Sequence, residues 1–209
     1  MRAIIYTGGE IRPEGITERP NAEDLVIAAD AGYRNALALN AKPSILLGDF
    51  DSLGEPNVPN NTEILRVPAE KDFTDTQMAV QVALERGADS IVIVGGLSGR
   101  LDHTLSNLAI LEFLCEKRIS AIFTDGKNRV RFLRNGSILI PRAPHFDYLG
   151  LIAADPILRG VTIDGCKYPL KNAKINRLQQ YAVSNEITGN CAFVAIRRGG
   201  AWIVESAEK

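Results

Sequence analysis

The first half of the chain alternates between short apolar runs and amphipathic segments. Short apolar or β-branched runs that end in glycine, proline or aspartate predict strands at 3–6, 25–29, 45–47, 62–67 and 90–94. Good helix formers with apolar residues every three or four positions predict helices at 31–40, 74–86 and 105–117. This alternation predicts an α/β fold with a mostly parallel, Rossmann-like sheet and helices on both of its faces.

After about residue 120 the pattern changes to short β-like runs separated by turn residues, and no long helix is predicted. Asn135-Gly136 and Asp164-Gly165 are typical hairpin turns between such runs. The predicted strands lie at 121–123, 130–133, 137–140, 148–153, 160–163 and 192–196. The second half is therefore expected to be an antiparallel β-sandwich or barrel. The predicted domains are 1–122, α/β, and 123–209, all-β.

Composition narrows the class of protein. The 209 residues have a formal net charge of −1, which gives no global basic field for nucleic acid or anionic lipid. The three cysteines are far apart and are expected to be reduced thiols rather than a disulfide framework. The sequence shows neither a signal-peptide pattern nor an apolar run long enough to span a bilayer. We therefore expect a cytoplasmic protein without nucleic-acid or membrane partners.

Two short motifs concentrate carboxylates next to predicted strands and helices. In the sequence GDFDS at 48–52, Asp49 and Asp51 have the i, i+2 spacing that points two side chains the same way in an extended segment. In the sequence KDFTD at 71–75, Asp72 and Asp75 stand at the entry to a helix. Each motif alone has a plainer reading, a turn in the first case and helix capping in the second. Capping does not explain Lys71.

The sequence GGLSGRLDH at 95–103 lies between a buried strand and a helix. Its glycines allow backbone N–H groups to face an anion, and Arg100 offers a planar donor fork for phosphate oxygens. The spacing matches neither the Walker pattern nor the dinucleotide fingerprint. A flexible loop with an aspartate cap is the plainer alternative, and a lone histidine such as His103 is more often structural.

Together the three motifs predict a phosphoryl-type transfer site. Two unit charges about 4 Å apart interact by roughly 4 kcal/mol at an effective dielectric of 20, so four converging carboxylates need a cation or a proton. Oxygen-only ligands beside a polyphosphate favour Mg²⁺. Lys71 and Arg100 supply the positive charge that phosphates require. A carboxylate set, a divalent ion and a glycine-rich loop are typical of this chemistry.

In this order and spacing, the three motifs resemble those of the thiamine pyrophosphokinases. Residues 30–32, Asp-Ala-Gly, also resemble the acidic-glycine motif of that family, with alanine where many members have glycine. The resemblance covers roughly residues 28–107. It implies ATP and thiamine as substrates, thiamine diphosphate and AMP as products, and a homodimer with its active site between subunits.

The resemblance also implies roles for individual residues. The catalytic and Mg²⁺-binding residues would be Asp49, Asp51, Asp72 and Asp75. The nucleotide-binding residues would be Asp30, Gly32, Lys71, Gly96, Gly99, Arg100, Asp102 and His103. Thiamine would be bound in the second half by Ser184, Asn185 and Trp202.

The thiamine residues have plainer alternatives. Ser184-Asn185 could be a simple turn, and Trp202 could be an aromatic residue of the sandwich core.

Two other functions are also compatible with the motifs: an ATP-dependent kinase or pyrophosphokinase of another small alcohol, and a non-catalytic regulator that binds thiamine or a nucleotide. In the expected reaction the thiamine hydroxyl attacks the β-phosphorus in line, with Asp72 or Asp75 as the proton acceptor.

Overall fold

The computed structural model describes residues 1–49, 59–66 and 73–208. The chain divides into two compact units, 1–126 and 127–209, so the division falls four residues after the predicted boundary at 122. In the described part of the first unit the elements are β1 Arg2–Tyr6, β2 Leu25–Ala29, α1 Gly32–Ala38, β3 Ile45–Gly48, β4 Glu63–Arg66, α2 Asp75–Glu85, β5 Ser90–Val94, α3 Leu101–Glu116 and β6 Ser120–Thr124.

The strands of the first unit form a parallel sheet in the order β4-β3-β2-β1-β5-β6. Alternate side chains point to opposite faces, and one face packs its apolar residues against Tyr33 and Ala36 of α1. Helices α2 and α3 contact the sheet through Ala79, Ala83 and Leu114, which are fully buried. The predicted α/β class is confirmed. The run at 121–123, predicted as the first strand of the antiparallel second half, instead belongs to β6 of the parallel sheet.

The two long helices begin differently from each other. Thr74 caps α2 as predicted: its hydroxyl accepts from the backbone N–H of Gln77 at 3.2 Å, and the Gln77 side chain accepts from the Thr74 N–H at 2.9 Å. Helix α3 begins at Leu101, four residues before the predicted start. Asp102 and His103 therefore lie in a helical turn rather than in a loop. A carboxylate in the first turn favours this earlier start.

The side on which successive strands are added changes at the centre of the parallel sheet, between β1 and β5. From β1 the chain adds β2, β3 and β4 on one side, and then returns to place β5 and β6 on the other side. At such a switch point the loops after the two central strands separate and leave a crevice at the carboxyl ends of the strands. Here those loops follow Tyr6 and Val94. The fold therefore places the predicted glycine-rich motif at the crevice.

The second unit is an antiparallel sandwich, as predicted. One sheet has the order β7-β13-β9 and the other β11-β10-β12-β8, and side chains from both build one core, including Leu151, Val161 and Ile203. The strands are β7 Asn128–Arg134, β8 Ser137–Pro141, β9 Tyr148–Ala153, β10 Ile157–Asp164, β11 Leu170–Asn176, β12 Cys191–Arg198 and β13 Gly200–Ser206. No helix of the described residues is long and apolar enough to cross a membrane.

A buried carboxylate fastens the segment before β2 to the first strand. Asp24, whose side chain is 4% exposed, pairs with the guanidinium of Arg2 and accepts from the Asn21 N–H at 2.7 Å. The hydrogen bond from Arg2 lowers the pKa of Asp24. Since the folded-state pKa lies below the unfolded value of about 3.9, this stabilisation is present above that value and is lost as the pH falls through the folded pKa.

We expect Asp24→Asn to lower the free energy of unfolding at pH 7 by about 1.5–3 kcal/mol, the range for hydrogen bonds to charged groups. Urea unfolding of both proteins between pH 7 and pH 2 measures this. The difference between wild type and variant should shrink as the pH falls below 4. A difference independent of pH would contradict the assignment of the stabilisation to the ionised carboxylate.

Candidate functional site

A cavity of about 550 Å³ lies at the carboxyl ends of the strands in the first unit. Its lining comes from the loop after each of β1, β2, β3 and β5 and from the first turns of α2 and α3. Of the predicted site residues it includes Asp30, Asp49, Asp75, Gly96, Gly99, Arg100 and His103. Residues that are distant in sequence are thus brought to one place.

Three carboxylates reach this cavity from different elements. Asp30 follows β2 in a left-handed conformation, φ 43°, which aspartate tolerates better than most residues. Its N–H donates to Leu47 O at 2.7 Å, which ties it to the strand that leads to Asp49. Asp75 lies in the first turn of α2. Asp51, Asp72 and Lys71 lie outside the described residues.

The donor set of the cavity fits a hard cation. Its candidate ligands are carboxylate oxygens, and Mg²⁺ is usually held by one or two carboxylates together with waters and substrate phosphates. Among the described residues, no three acidic, histidine or cysteine side chains are close enough to hold a metal ion by themselves. Any Mg²⁺ here would therefore need the nucleotide, water or the remaining motif aspartates to complete its coordination.

Arg100 and Asp102 form a fork-to-fork pair. Arg100 Nη2 lies 2.6 Å from Asp102 Oδ2, and Arg100 Nε lies 3.2 Å from Asp102 Oδ1. The hydrogen bond from Arg100 lowers the pKa of Asp102. Both side chains are exposed, and such surface pairs contribute little to stability, so Arg100 can exchange this partner for a phosphate at small cost. Arg100 borders the cavity, whereas Asp102 does not.

Two threonines that the sequence did not single out connect the elements of the site. The hydroxyls of Thr7, after β1, and Thr76, in α2, are 2.7 Å apart and buried. This bond fixes the start of α2, and with it Asp75, to the end of the central strand. Threonine is common in both strands and helices, so nothing in the local sequence marks the pair. Gly32 lies beneath the site rather than in its lining.

In the second unit, Asn185 is a structural clamp. Its side chain accepts from the Tyr168 N–H at 2.9 Å and donates to Tyr168 O at 2.8 Å, and its backbone pairs with Leu149. Ser184 is exposed with φ 56°. The clamp presents the ring of Tyr168, which is 58% exposed. Sequence reasoning missed Tyr168, whose only local signal is an aromatic residue before a proline in a turn-rich segment.

Trp202 lies elsewhere on the sandwich. It packs edge-to-face on Phe132 with ring centroids 5.6 Å apart, on the sheet face opposite to the core residues Ala201 and Ile203. The alternative of a core tryptophan is therefore wrong, because alternation along β13 points it the other way. Trp202 pairs with Ile152 and Asn185 with Leu149, which puts them roughly 10 Å apart along β9.

Known proteins are similar to this chain in the sequence of both units and in fold. A family model described as the catalytic domain of thiamin pyrophosphokinase matches residues 17–123, and one for its vitamin B1 binding domain matches residues 137–199. Thiamine pyrophosphokinase of Bacillus subtilis is 28% identical over 197 residues, 92% of each chain. Thiamin pyrophosphokinase 1 of Caenorhabditis elegans is 30% identical over 163 residues, 73% of this chain and 65% of that protein. The crystal structure of the Bacillus subtilis protein superposes with a TM-score of 0.87 over the full length of both chains, at 26% identity.

Proposed function

This chain belongs to the thiamine pyrophosphokinase family, and on that premise we propose how its described residues serve the reaction. The enzyme transfers a diphosphoryl group from ATP to the hydroxyl of thiamine, giving thiamine diphosphate and AMP. The observation that carries the proposed site is the cavity at the switch point of the parallel sheet. There, carboxylates from β2, β3 and α2 face two glycine-containing loops and Arg100.

The ATP polyphosphate lies along the loops after β1 and β5, with Arg100 neutralising phosphate charge. Asp49 and Asp75, with Asp51 and Asp72, would hold Mg²⁺, which when bound neutralises charge on the polyphosphate. The carboxylates also orient the thiamine hydroxyl, and one of them accepts its proton. Of the two candidate bases, Asp72 and Asp75, the second lies in the first turn of α2, which the Thr7–Thr76 bond holds in position. Positioning supplies most of the rate enhancement.

The direct test is incubation of the protein with thiamine, ATP and Mg²⁺, followed by chromatography. Thiamine diphosphate and AMP in equal amounts are the expected products. ADP in place of AMP would show simple phosphoryl transfer. Turnover only with a different alcohol would show another acceptor, and calorimetric binding of both substrates without any product would show a non-catalytic regulator. Omitting Mg²⁺, or adding a chelator, should abolish turnover.

Tyr168 is the aromatic contact that we propose for the thiamine ring. Its ring is exposed and held by Asn185, and cationic rings gain about 0.5–2 kcal/mol from an aromatic face. Tyr168→Ala should therefore raise the KM for thiamine by roughly 2- to 30-fold and leave the KM for ATP unchanged. The matched comparison is Trp202→Ala, which removes the aromatic residue that the family resemblance implies for thiamine binding. A larger thiamine effect at Trp202 than at Tyr168 would reverse this assignment.

We also propose a homodimer in which the first unit of one copy faces the second unit of the other. Residues 1–126 contain 19 acidic and 11 basic side chains, whereas residues 127–209 contain six acidic and 13 basic ones, so these two surfaces attract each other. An apolar groove of about 690 Å³ between α2 and α3 supports the dimer. Phe73 lines both this groove and the polar cavity, so a second copy that covered the groove would lie beside the proposed active site.

Sedimentation of wild type and of Phe113→Asp, whose residue lines the groove, tests the dimer. The wild type should sediment as a dimer, and the variant as a monomer with little activity. A monomeric, active wild type would exclude an inter-subunit site.

The cytoplasm is the proposed location, because Cys115, Cys166 and Cys191 form no disulfide.

A further inference from the structure

Four carbonyl oxygens of the two loops that face the cavity accept hydrogen bonds from the protein itself. We call residues 7–9 the β1 loop and residues 95–99 the β5 loop. Asn35 Nδ2, in α1, donates to Thr7 O at 2.8 Å and to Gly9 O at 2.9 Å. Asn107 Nδ2, in α3, donates to Gly96 O at 2.8 Å. The Gly96 N–H donates to the carbonyl oxygen of Gly8 at 2.9 Å, which joins the loops directly.

These bonds decide which way the intervening peptide groups face. In a planar trans peptide the C=O and the following N–H point in opposite directions. Where Asn35 holds Gly9 O, the next N–H, that of Glu10, does point away and donates to Ser98 Oγ at 2.7 Å. By the same geometry, the N–H groups of Gly8 and Leu97 point away from the two asparagines. Carbonyl oxygens turned toward a polyphosphate would repel it, whereas N–H groups attract it.

The fit around Asn107 is specific to its carboxamide. Its side chain is buried, and Gly96 has φ +72°, a conformation that glycine adopts without strain. A Cβ on Gly96 would come within 2.7 Å of Asn107 Nδ2. A larger residue at position 96 would therefore displace the Asn107 carboxamide. Asn107 borders the cavity and Asn35 does not. Asn35 can thus influence a nucleotide only through the β1 loop.

We infer that Asn35 and Asn107 are positioning residues for the nucleotide, holding the β1 and β5 loops with their carbonyl oxygens turned away from the polyphosphate. Two asparagines on different helices perform the same task on the two loops. This inference rests on the proposed function for the identity of the ligand. It predicts that nucleotide affinity depends on an amide donor at each position, whereas thiamine affinity does not.

The experiment replaces each donor by an acceptor of the same shape, Asn35→Asp and Asn107→Asp. Each carboxylate would face carbonyl oxygens less than 3 Å away, so the loops would have to turn. We expect at least tenfold weaker binding of a non-hydrolysable ATP analogue with a methylene bridge between the α and β phosphorus, measured by calorimetry. The KM for ATP should rise in parallel, with the KM for thiamine within twofold of wild type. Leu37→Ala, at an exposed position of α1, is the control and should change neither.

Unchanged analogue affinity in both folded variants would overturn the inference, and so would equal increases in the KM values of both substrates. If an aspartate variant does not fold, Asn35→Ser and Asn107→Ser give the same comparison with the donor shortened. Wild-type protein that binds the analogue but makes no thiamine diphosphate would refute the proposed function alone. The effect of the asparagines on analogue binding would still decide the inference.

Discussion

Asp49→Asn and Asp75→Asn should each lower kcat by about two to three orders of magnitude in a protein that remains folded. Asparagine keeps the size of the side chain and its carbonyl oxygen but removes the negative charge. Both carboxylates line one cavity, Asp49 after β3 and Asp75 in α2, and in the proposed site their charge would hold a divalent ion against the polyphosphate. Removing one leaves a weaker ion site and a less precisely placed nucleotide.

The fold should tolerate both changes. At the start of α2 the charge of Asp75 contributes only about 0.3–1 kcal/mol through the helix dipole, and the Thr74–Gln77 capping box remains. Steady-state kinetics over a range of Mg²⁺ concentrations, with thermal melting in parallel, separates activity from stability. Both variants should need more Mg²⁺ for half-maximal rate.

Glu85→Gln is the matched control, because it removes a carboxylate from the opposite end of the same helix. It should retain wild-type turnover. Asp72 lies outside the described residues. Because it belongs to the same sequence motif as Asp75, we expect Asp72→Asn to lower kcat to a similar extent. A near-normal kcat in both Asp49→Asn and Asp75→Asn would show that the carboxylates of this cavity do not take part in catalysis.

The elements of the first unit could be predicted because each one carries a local signal. The β2 and β5 runs were correctly bounded, since a buried parallel strand is continuously apolar and ends where polar residues begin. The start of α3 was missed because Gly99 and Arg100 continued the loop pattern up to the first helical residue. The motifs predicted that Asp49 and Asp75 converge together with Asp51 and Asp72, and of this set the two described residues both line the cavity.

Other features depend on contacts that leave no local pattern. Strand β11 was missed because register shifts opposite β10 break its alternation, with Asn172 at φ 49°. The Thr7–Thr76 bond and the two asparagine clamps join elements many residues apart, through side chains that are equally common on surfaces. The side chain of Asn185 holds the backbone of Tyr168, an aromatic residue that the sequence had not singled out.

Gly32→Ala should be the most destabilising single methyl addition that we propose, with a loss of about 3 kcal/mol or more in the free energy of unfolding. A Cβ on Gly32 would lie 2.1 Å from Tyr6 O and 2.7 Å from Thr7 Cα. Both are backbone atoms of the central strand, so no rotamer change relieves the overlap. The better helix propensity of alanine, about 1 kcal/mol, is too small to offset it.

The overlap can be relieved only if α1 moves away from the end of β1, and that movement reaches the site. Helix α1 carries Asn35 and directly follows Asp30, so the variant should also bind the ATP analogue more weakly. Urea unfolding of Gly32→Ala and of Gly150→Ala provides the measurement. At Gly150 the nearest atom would be 3.9 Å from the added Cβ, so stability should change little. Equal stability of the two variants would mean that α1 does not sit as closely on β1 as the site requires.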